Sequence, residues 1–289
     1  MLRRKAYQRL LDWKKEDDRK ALCIFGARQI GKTTLIRQFG AENYKNFVEI
    51  NFVSDSGAAK IFDSALDADT IITNLTAYLR KPMEPGKTLV FFDEVQECPN
   101  VRTAIKFLVE DGRFDYVESG SLLGTRYREI KSYPVGYEEI YRMYPMDFEE
   151  FLWANGVQDA TIRYLQTCFD DKKQILPAVH DTLKRLFYSY IVVGGMPDVV
   201  QTYVDTHDIG KVVVLQTSLL EQYRQDISQY AVGSDKMKIK TIFDAIPSQL
   251  NDKNRRFYVN KLAPSARLTR YENSFRWLDD AGVALLCYN

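Results

Sequence analysis

The chain has 289 residues, and its 40 Lys and Arg nearly balance 39 Asp and Glu, so no global basic field marks it for nucleic acid or membrane. Apolar residues make up 45% and charged residues 27%, a globular mix that disfavours disordered and fibrous classes, and the length suits about two domains. No apolar run approaches the roughly 18 residues of a membrane span, and the N-terminus lacks the apolar core and cleavage site of a secretory signal, so a cytoplasmic protein with no membrane partner is expected.

In chain order, short apolar runs alternate with helical patterns over the first two-thirds, which predicts an α/β layer with a mostly parallel sheet. Ala21–Phe25 reads as a strand, a Gly-rich turn follows, and a helix begins near Thr33. Phe47–Val53 is a second strand. Ile71, Leu75 and Tyr78 share a helix face that must break at Lys81–Gly86, which holds two prolines and a glycine. Leu89–Phe92 is apolar throughout, as in a strand buried on both faces. Val101, Ala104, Ile105 and Leu108 form another helical stripe, Phe114–Val117 and Ile140–Tyr144 read as strands, and Asp147 caps a helix through Trp153. Beyond Asn155 the patterns are helical. Val212, Leu215, Leu219, Tyr223, Ile227 and Tyr230 predict one long amphipathic helix, and Ala231–Asp235 a linker. Three short helical patterns follow from Lys240, then the apolar run Val283–Tyr288. Cys23, Cys98, Cys168 and Cys287 are far apart with no CxxC pair, and only His180 and His207 accompany them, so neither a disulfide framework nor a zinc site is expected.

The chemistry concentrates in Gly26-Ala27-Arg28-Gln29-Ile30-Gly31-Lys32-Thr33, which matches GxxxxGK[ST] at every fixed position, directly after a strand and before a helix. Glycines let backbone N–H groups converge on phosphate oxygens, and the helix N-terminus adds partial positive charge. Lys32 is placed to reach the β- and γ-phosphates and Thr33 to ligate Mg²⁺, with Thr34 extending the ATP-facing run. Asp93 and Glu94 end the run LVFF, and a carboxylate at the tip of a parallel strand points into the ligand crevice. Asp93 is the candidate second Mg²⁺ ligand, and Glu94 the candidate base that polarises an attacking water. Ser119 and Ser121, at the end of the next strand, are both candidates to orient that water or sense the γ-phosphate. Arg126 and Arg128 are candidates for an arginine finger, in cis or from a neighbouring subunit.

Together with YPMDFEEFL at 144–152 and VGGMP at 193–197, these motifs resemble the additional-strand P-loop ATPases of the AAA+ and STAND-like groups. More narrowly, the chain resembles prokaryotic AAA-type ATP-binding proteins that carry a downstream domain of unknown function. The resemblance covers nearly the whole chain. It implies a five-stranded parallel sheet with the P-loop strand central, a helical lid and a winged-helix module. The expected division is an ATPase core at 1–155, a lid at 156–232 and the winged-helix module at 233–289. In related ATPases a glycine-proline motif in the lid lies near the adenine, and Gly195-Met196-Pro197 matches it; alone, those residues also suit a proline-stiffened loop. Family members usually continue with a nuclease-like domain. Here Val283–Tyr288 resembles a wing strand whose partner lies past the end, so a truncated product is expected.

Residues 251–278 carry Lys253, Arg255, Arg256, Lys261, Arg267, Arg270 and Arg276 against Asp252 and Glu272. Leu268, Tyr271, Phe275 and Leu278 form the expected inward stripe of the last helix, leaving Arg267, Arg270 and Asn273 on another face. That face is a candidate for a DNA groove, and equally an ordinary solvated or lid-packing surface. The leading function is a Mg²⁺- and ATP-dependent hydrolase acting as a conformational switch. The alternative is a nucleic-acid-binding regulator or defence component in which ATP gates assembly. Self-association or a protein partner would fit an arginine finger supplied in trans. A small-molecule kinase is disfavoured, because the Asp-Glu tip favours water as acceptor.

Overall fold

The computed structural model describes residues 2–63, 66–121, 134–231, 235–254, 256–263 and 266–287. Five strands, β1 (Ala21–Phe25), β2 (Asn46–Asn51), β3 (Thr88–Asp93), β4 (Asp115–Gly120) and β5 (Glu138–Arg142), pair in parallel in the order β2-β3-β4-β1-β5. The expected α/β class and five-stranded sheet are thus present, with β1 an interior strand flanked by β4 and β5. Every residue of β1 and β3 is buried, which is why both read as unbroken apolar runs.

Alternation along the strands divides the core. On one face α1 (Lys5–Lys14) and α2 (Lys32–Asn43) pack Leu10, Trp13, Ile36 and Phe39 on Leu22, Ile24, Leu89 and Phe91. On the other, α3 (Ala68–Leu79) and α4 (Pro99–Asp111) pack Ile71, Leu75, Val101, Ile105 and Leu108 on Val90, Phe92 and Tyr116. Sequence reading missed α1 because its apolar face, Ala6, Leu10 and Trp13, is embedded among charges.

The helix α5 (Phe148–Ala154) opens on a capping box: Asp147 accepts from the Glu150 N–H, and Glu150 from the Asp147 N–H. It leads into α6 (Asp159–Asp170), α7 (Pro177–Val193), α8 (Pro197–Thr206) and α9 (Ile209–Tyr230), the long helix expected from the 212–230 spacing. Phe151, Val193, Val199, Val200 and Val212 form a core shared by α5, α7, α8 and α9. The end of α9 packs with α10 (Asp235–Leu250) and α11 (Leu268–Asp280) through Ile227, Ile239, Ile242, Phe243 and Leu278.

This last module corrects two expectations. No strand forms over the described part of Val283–Tyr288. Instead Gly282 adopts a left-handed conformation (φ +68°), its N–H bonds Asp279 O at 2.9 Å, and the Val283 N–H bonds Leu278 O at 3.0 Å. That pair of bonds is a Schellman motif, and Val283 joins the Leu278 cluster as its hydrophobic contact. The apolar run therefore closes a helix, and a winged-helix architecture is not seen among the described residues. The second correction is Leu268, which is 61% exposed because it begins α11 beyond the packed surface; Ser274 and Leu278 are the buried positions.

Candidate functional site

Register builds the centre of the site. Asn51 pairs with Asp93, and Asp93 with Ser119, so one rung at the C-terminal ends of β2, β3 and β4 carries all three side chains. Asp93 is 2% exposed, and its carboxylate accepts four bonds. Asn51 Nδ2 (2.9 Å) and Thr33 Oγ1 (3.0 Å) donate to Oδ2, while the Glu94 N–H (3.1 Å) and the Ser119 hydroxyl donate to Oδ1.

Beside this rung, β1 feeds the loop 26–31 into α2. Gly31 caps the helix at φ +88°, a conformation that favours glycine. Lys32 begins α2 and is 7% exposed, its Nζ donating to Gly26 O at 3.0 Å and Ala27 O at 2.8 Å. Burial lowers the Lys32 ammonium from its ordinary 10.5 to about 8; Glu94 and Asp93 pull it upward, and Arg28 pushes it down. Glu94 sits at φ 56°, ψ 47°, a left-handed conformation that costs free energy in a non-glycine residue and clusters at functional sites. Its carboxylate accepts a bond from Gln96 Nε2. The Thr33 hydroxyl and Asp93 carboxylate are hard oxygen donors 3.0 Å apart, a donor set that fits Mg²⁺.

The helical part closes over the loop. Arg28 Nη1 pairs with Asp226 of α9 at 2.5 Å, Tyr223 O–H donates to Arg28 O at 2.8 Å, and Gln29 bonds Gln222. Burial pushes the Tyr223 phenol up to about 12, and raises the Asp226 carboxyl although Arg28 pulls it down. From the C-terminal module, Gly282 lies so near that a Cβ on it would stand 3.1 Å from Ala27 N. Pro197 begins α8, and its ring borders Gly31. The Met146 N–H bonds Gly195 O at 2.7 Å and joins this turn to the core.

Arg4 supports the loop from below. It is 8% exposed and donates to Ile30 O (2.7 Å), Tyr144 O (2.7 Å) and Glu150 Oε1 (3.2 Å). Its neighbours Arg3, Lys5 and Arg9 pair with Asp159, Asp147 and Glu139, so this basic segment is engaged with the chain's own acids.

Of the residues expected from sequence, the loop Gly26–Thr33, Asp93, Glu94 and Ser119 converge, and Pro197 lies at their border. Between the two candidate serines, Ser119 is the one that bonds Asp93; Ser121 is buried just past β4. Arg126 and Arg128 lie outside the described residues. Asn51, Gln96, Arg4, Tyr223 and Asp226 were missed. Asn51 lies inside the predicted strand Phe47–Val53 and Gln96 follows Glu94 by two positions, but neither stands at a fixed motif position. Arg267, Arg270 and Asn273 are exposed, with Arg267 preceding α11 rather than lying on it.

Residues 18–152 match the family model of an AAA domain, and residues 184–289 that of a domain of unknown function (DUF8612). No curated protein matches the chain. Among solved structures, the chain is similar to the Walker-type ATPase PABY2304 of Pyrococcus abyssi, with a TM-score of 0.57 and 14% identity over 97% of this chain and 90% of that one. It is more distantly similar to a RuvB variant of Thermotoga maritima, at 16% identity and TM-score 0.38 over 96% and 86% of the two chains. The Aeropyrum pernix ORC1 protein, solved in complex with DNA, gives 11% identity and TM-score 0.35 over 98% and 84%. At 14% identity the likeness to PABY2304 is one of fold. No helix among the described residues is long and apolar enough to cross a membrane. The chain thus carries an AAA domain over residues 18–152, followed by a region, 184–289, that matches a domain of unknown function.

Proposed function

We propose that this protein binds ATP with Mg²⁺ at Gly26–Thr34 and hydrolyses it, and that the state of the γ-phosphate sets how α9 and the C-terminal module sit on the loop. The observation that carries the reading is the bond from Thr33 Oγ1 to Asp93 Oδ2, which joins the phosphate loop to the strand-tip acid. The backbone N–H groups of the loop and the N-terminus of α2 would receive the phosphates. Lys32 would exchange its bonds to Gly26 O and Ala27 O for bonds to phosphate oxygens. Thr33 and Asp93 would hold Mg²⁺, which when bound neutralises charge between the β- and γ-phosphates. Glu94, oriented by Gln96, would polarise the attacking water, and Ser119 would keep Asp93 in register.

The switch rests on Arg28, Gln29 and Ala27, which touch α9 and the C-terminal turn directly. A ligand shifts a conformational equilibrium only through contacts that differ between states, and these side chains are where such contacts would change. The division into a core (1–155), lid (156–232) and C-terminal module (233–289) belongs to the same proposal. Self-association or a protein partner has support in the exposed Ile191, Val192, Val213 and Val214 of α7 and α9.

Phosphate release by wild type and Glu94→Gln, with light scattering alongside, tests this reading: ATP-dependent release that the variant loses supports it, and no release with no ATP binding removes it. A second reading, a DNA-binding regulator gated by ATP, is favoured by the exposure of Arg267, Arg270 and Asn273. It requires salt-dependent DNA affinity that falls in Arg267→Ala/Arg270→Ala, and salt-insensitive or absent binding would discard it.

A further inference from the structure

Behind the strand that carries Ser119 lies a buried polar cluster that the ATP reading does not use. Cys23 of β1 and Glu118 of β4 are register partners, both 0% exposed. Glu138, at the start of β5, has a side chain 5% exposed and pairs at 2.5 Å with Arg102 of α4, whose guanidinium lies 5.2 Å over the Phe25 ring. One ligand atom from each of Cys23, Glu118 and Glu138 lies within 4.8 Å of the other two. Neither carboxylate oxygen of Glu118 has a hydrogen-bond partner. A buried carboxyl group left this way is costly, and in a native protein such a group points to water or an ion.

We propose that Cys23, Glu118 and Glu138 form a buried site for one zinc ion. Mixed thiolate and carboxylate donors suit zinc, whereas Mg²⁺ and Ca²⁺ avoid sulfur. Charge closes as well: one thiolate, two carboxylates, the Arg102 guanidinium and Zn²⁺ sum to zero. A proton on Glu118 would also remove the excess charge in the metal-free protein, and zinc would displace that proton on binding. Tetrahedral zinc ligands stand about 3.5 Å apart, so the three side chains close by about 1 Å on an ion, with a water as fourth ligand. The cysteine and histidine spacing argued against zinc because it counts only those residue types along the chain. The sheet instead brings one cysteine to two carboxylates on neighbouring strands. The bound ion would tie β1 to its two neighbours, β4 and β5, next to the serine that holds Asp93 in place.

Because the site is enclosed, metal loading is expected to accompany folding. The test uses the full chain, freed of nucleotide and refolded with Zn²⁺, with Co²⁺ or with a chelator. Wild type is expected to retain one zinc per chain by elemental analysis, to melt about 5 °C higher than the chelated form, and to show Co²⁺–thiolate charge-transfer absorption. Cys23→Ser should lose that absorption and Glu118→Gln should lose the zinc. Asp93→Asn, which alters only the proposed ATP site, should keep both, so failure here and failure of the ATP reading are distinguishable. The proposal is overturned if folded wild type holds under about 0.1 zinc per chain or shows no thiolate band with cobalt. It is also overturned if zinc persists in both Cys23→Ser and Glu118→Gln. Should either variant fail to fold, the wild-type cobalt spectrum still decides.

Discussion

The buried position of Lys32 makes ATP affinity depend on pH in a defined direction. Burial lowers its ammonium from 10.5 to about 8, so the free protein carries a charged lysine at pH 7.5 and a mostly neutral one at pH 9. Phosphate oxygens favour the charged form, so binding above pH 8 requires uptake of a proton. The dissociation constant for Mg-ATP is therefore expected to weaken about eightfold between pH 7.5 and pH 9, and then to approach tenfold per unit. The nucleotide-free protein should show the linked effect on stability. Between the folded value and 10.5 the unfolded chain binds more protons, so its unfolding free energy should rise with pH across that window. Titration calorimetry in two buffers of different ionisation heat, at pH 7.5 and pH 9, reads both affinity and proton uptake. A flat dissociation constant with no proton uptake at pH 9 would refute the reasoning.

Three further outcomes follow from individual contacts. Glu94→Gln should keep ATP binding but slow phosphate release by roughly 10²–10⁴, and unchanged turnover would remove Glu94 as the base. Asp226→Ala breaks the partly buried pair with Arg28, a loss of about 0.5–1 kcal/mol, so a fluorescent ATP analogue should dissociate about two- to fivefold faster in stopped flow. An unaltered rate would mean that α9 does not clasp the loaded loop. Arg4→Ala leaves the buried Glu150 without its guanidinium and the Ile30 carbonyl without its donor, and should cost about 3 kcal/mol. Chemical denaturation measures that loss; a change below about 1 kcal/mol would show that the loop does not depend on Arg4.

How far the site could be read along the chain depended on distance. The loop from Gly26 to Thr33 and the Asp93-Glu94 tip are local patterns, set by a strand, a turn and a helix start, and Asp147 with Glu150 is a local cap. Such features follow from chemistry within a few residues. Asn51 joins Asp93 only because β2 pairs with β3 in that register, and one residue of slip would turn it to the other face. Arg4 meets Glu150 across about half the chain, and nothing near either residue announces the other. Tyr223 kept the helical spacing of an apolar stripe, yet its hydroxyl reaches the Arg28 carbonyl, because a tyrosine offers an apolar body and a polar tip. Val283 illustrates the opposite error: an apolar run suits a strand, but one residue after a left-handed glycine it suits a helix cap.

The central claim is that the loop and Asp93 together receive a nucleotide triphosphate. Equilibrium dialysis of labelled ATP with Mg²⁺, against folded wild type and folded Lys32→Ala, addresses it most directly. One ATP bound per wild-type chain, with binding lost in the variant, is the predicted result. Failure of folded wild type to bind ATP at millimolar concentration, or equal binding by Lys32→Ala, would contradict the account.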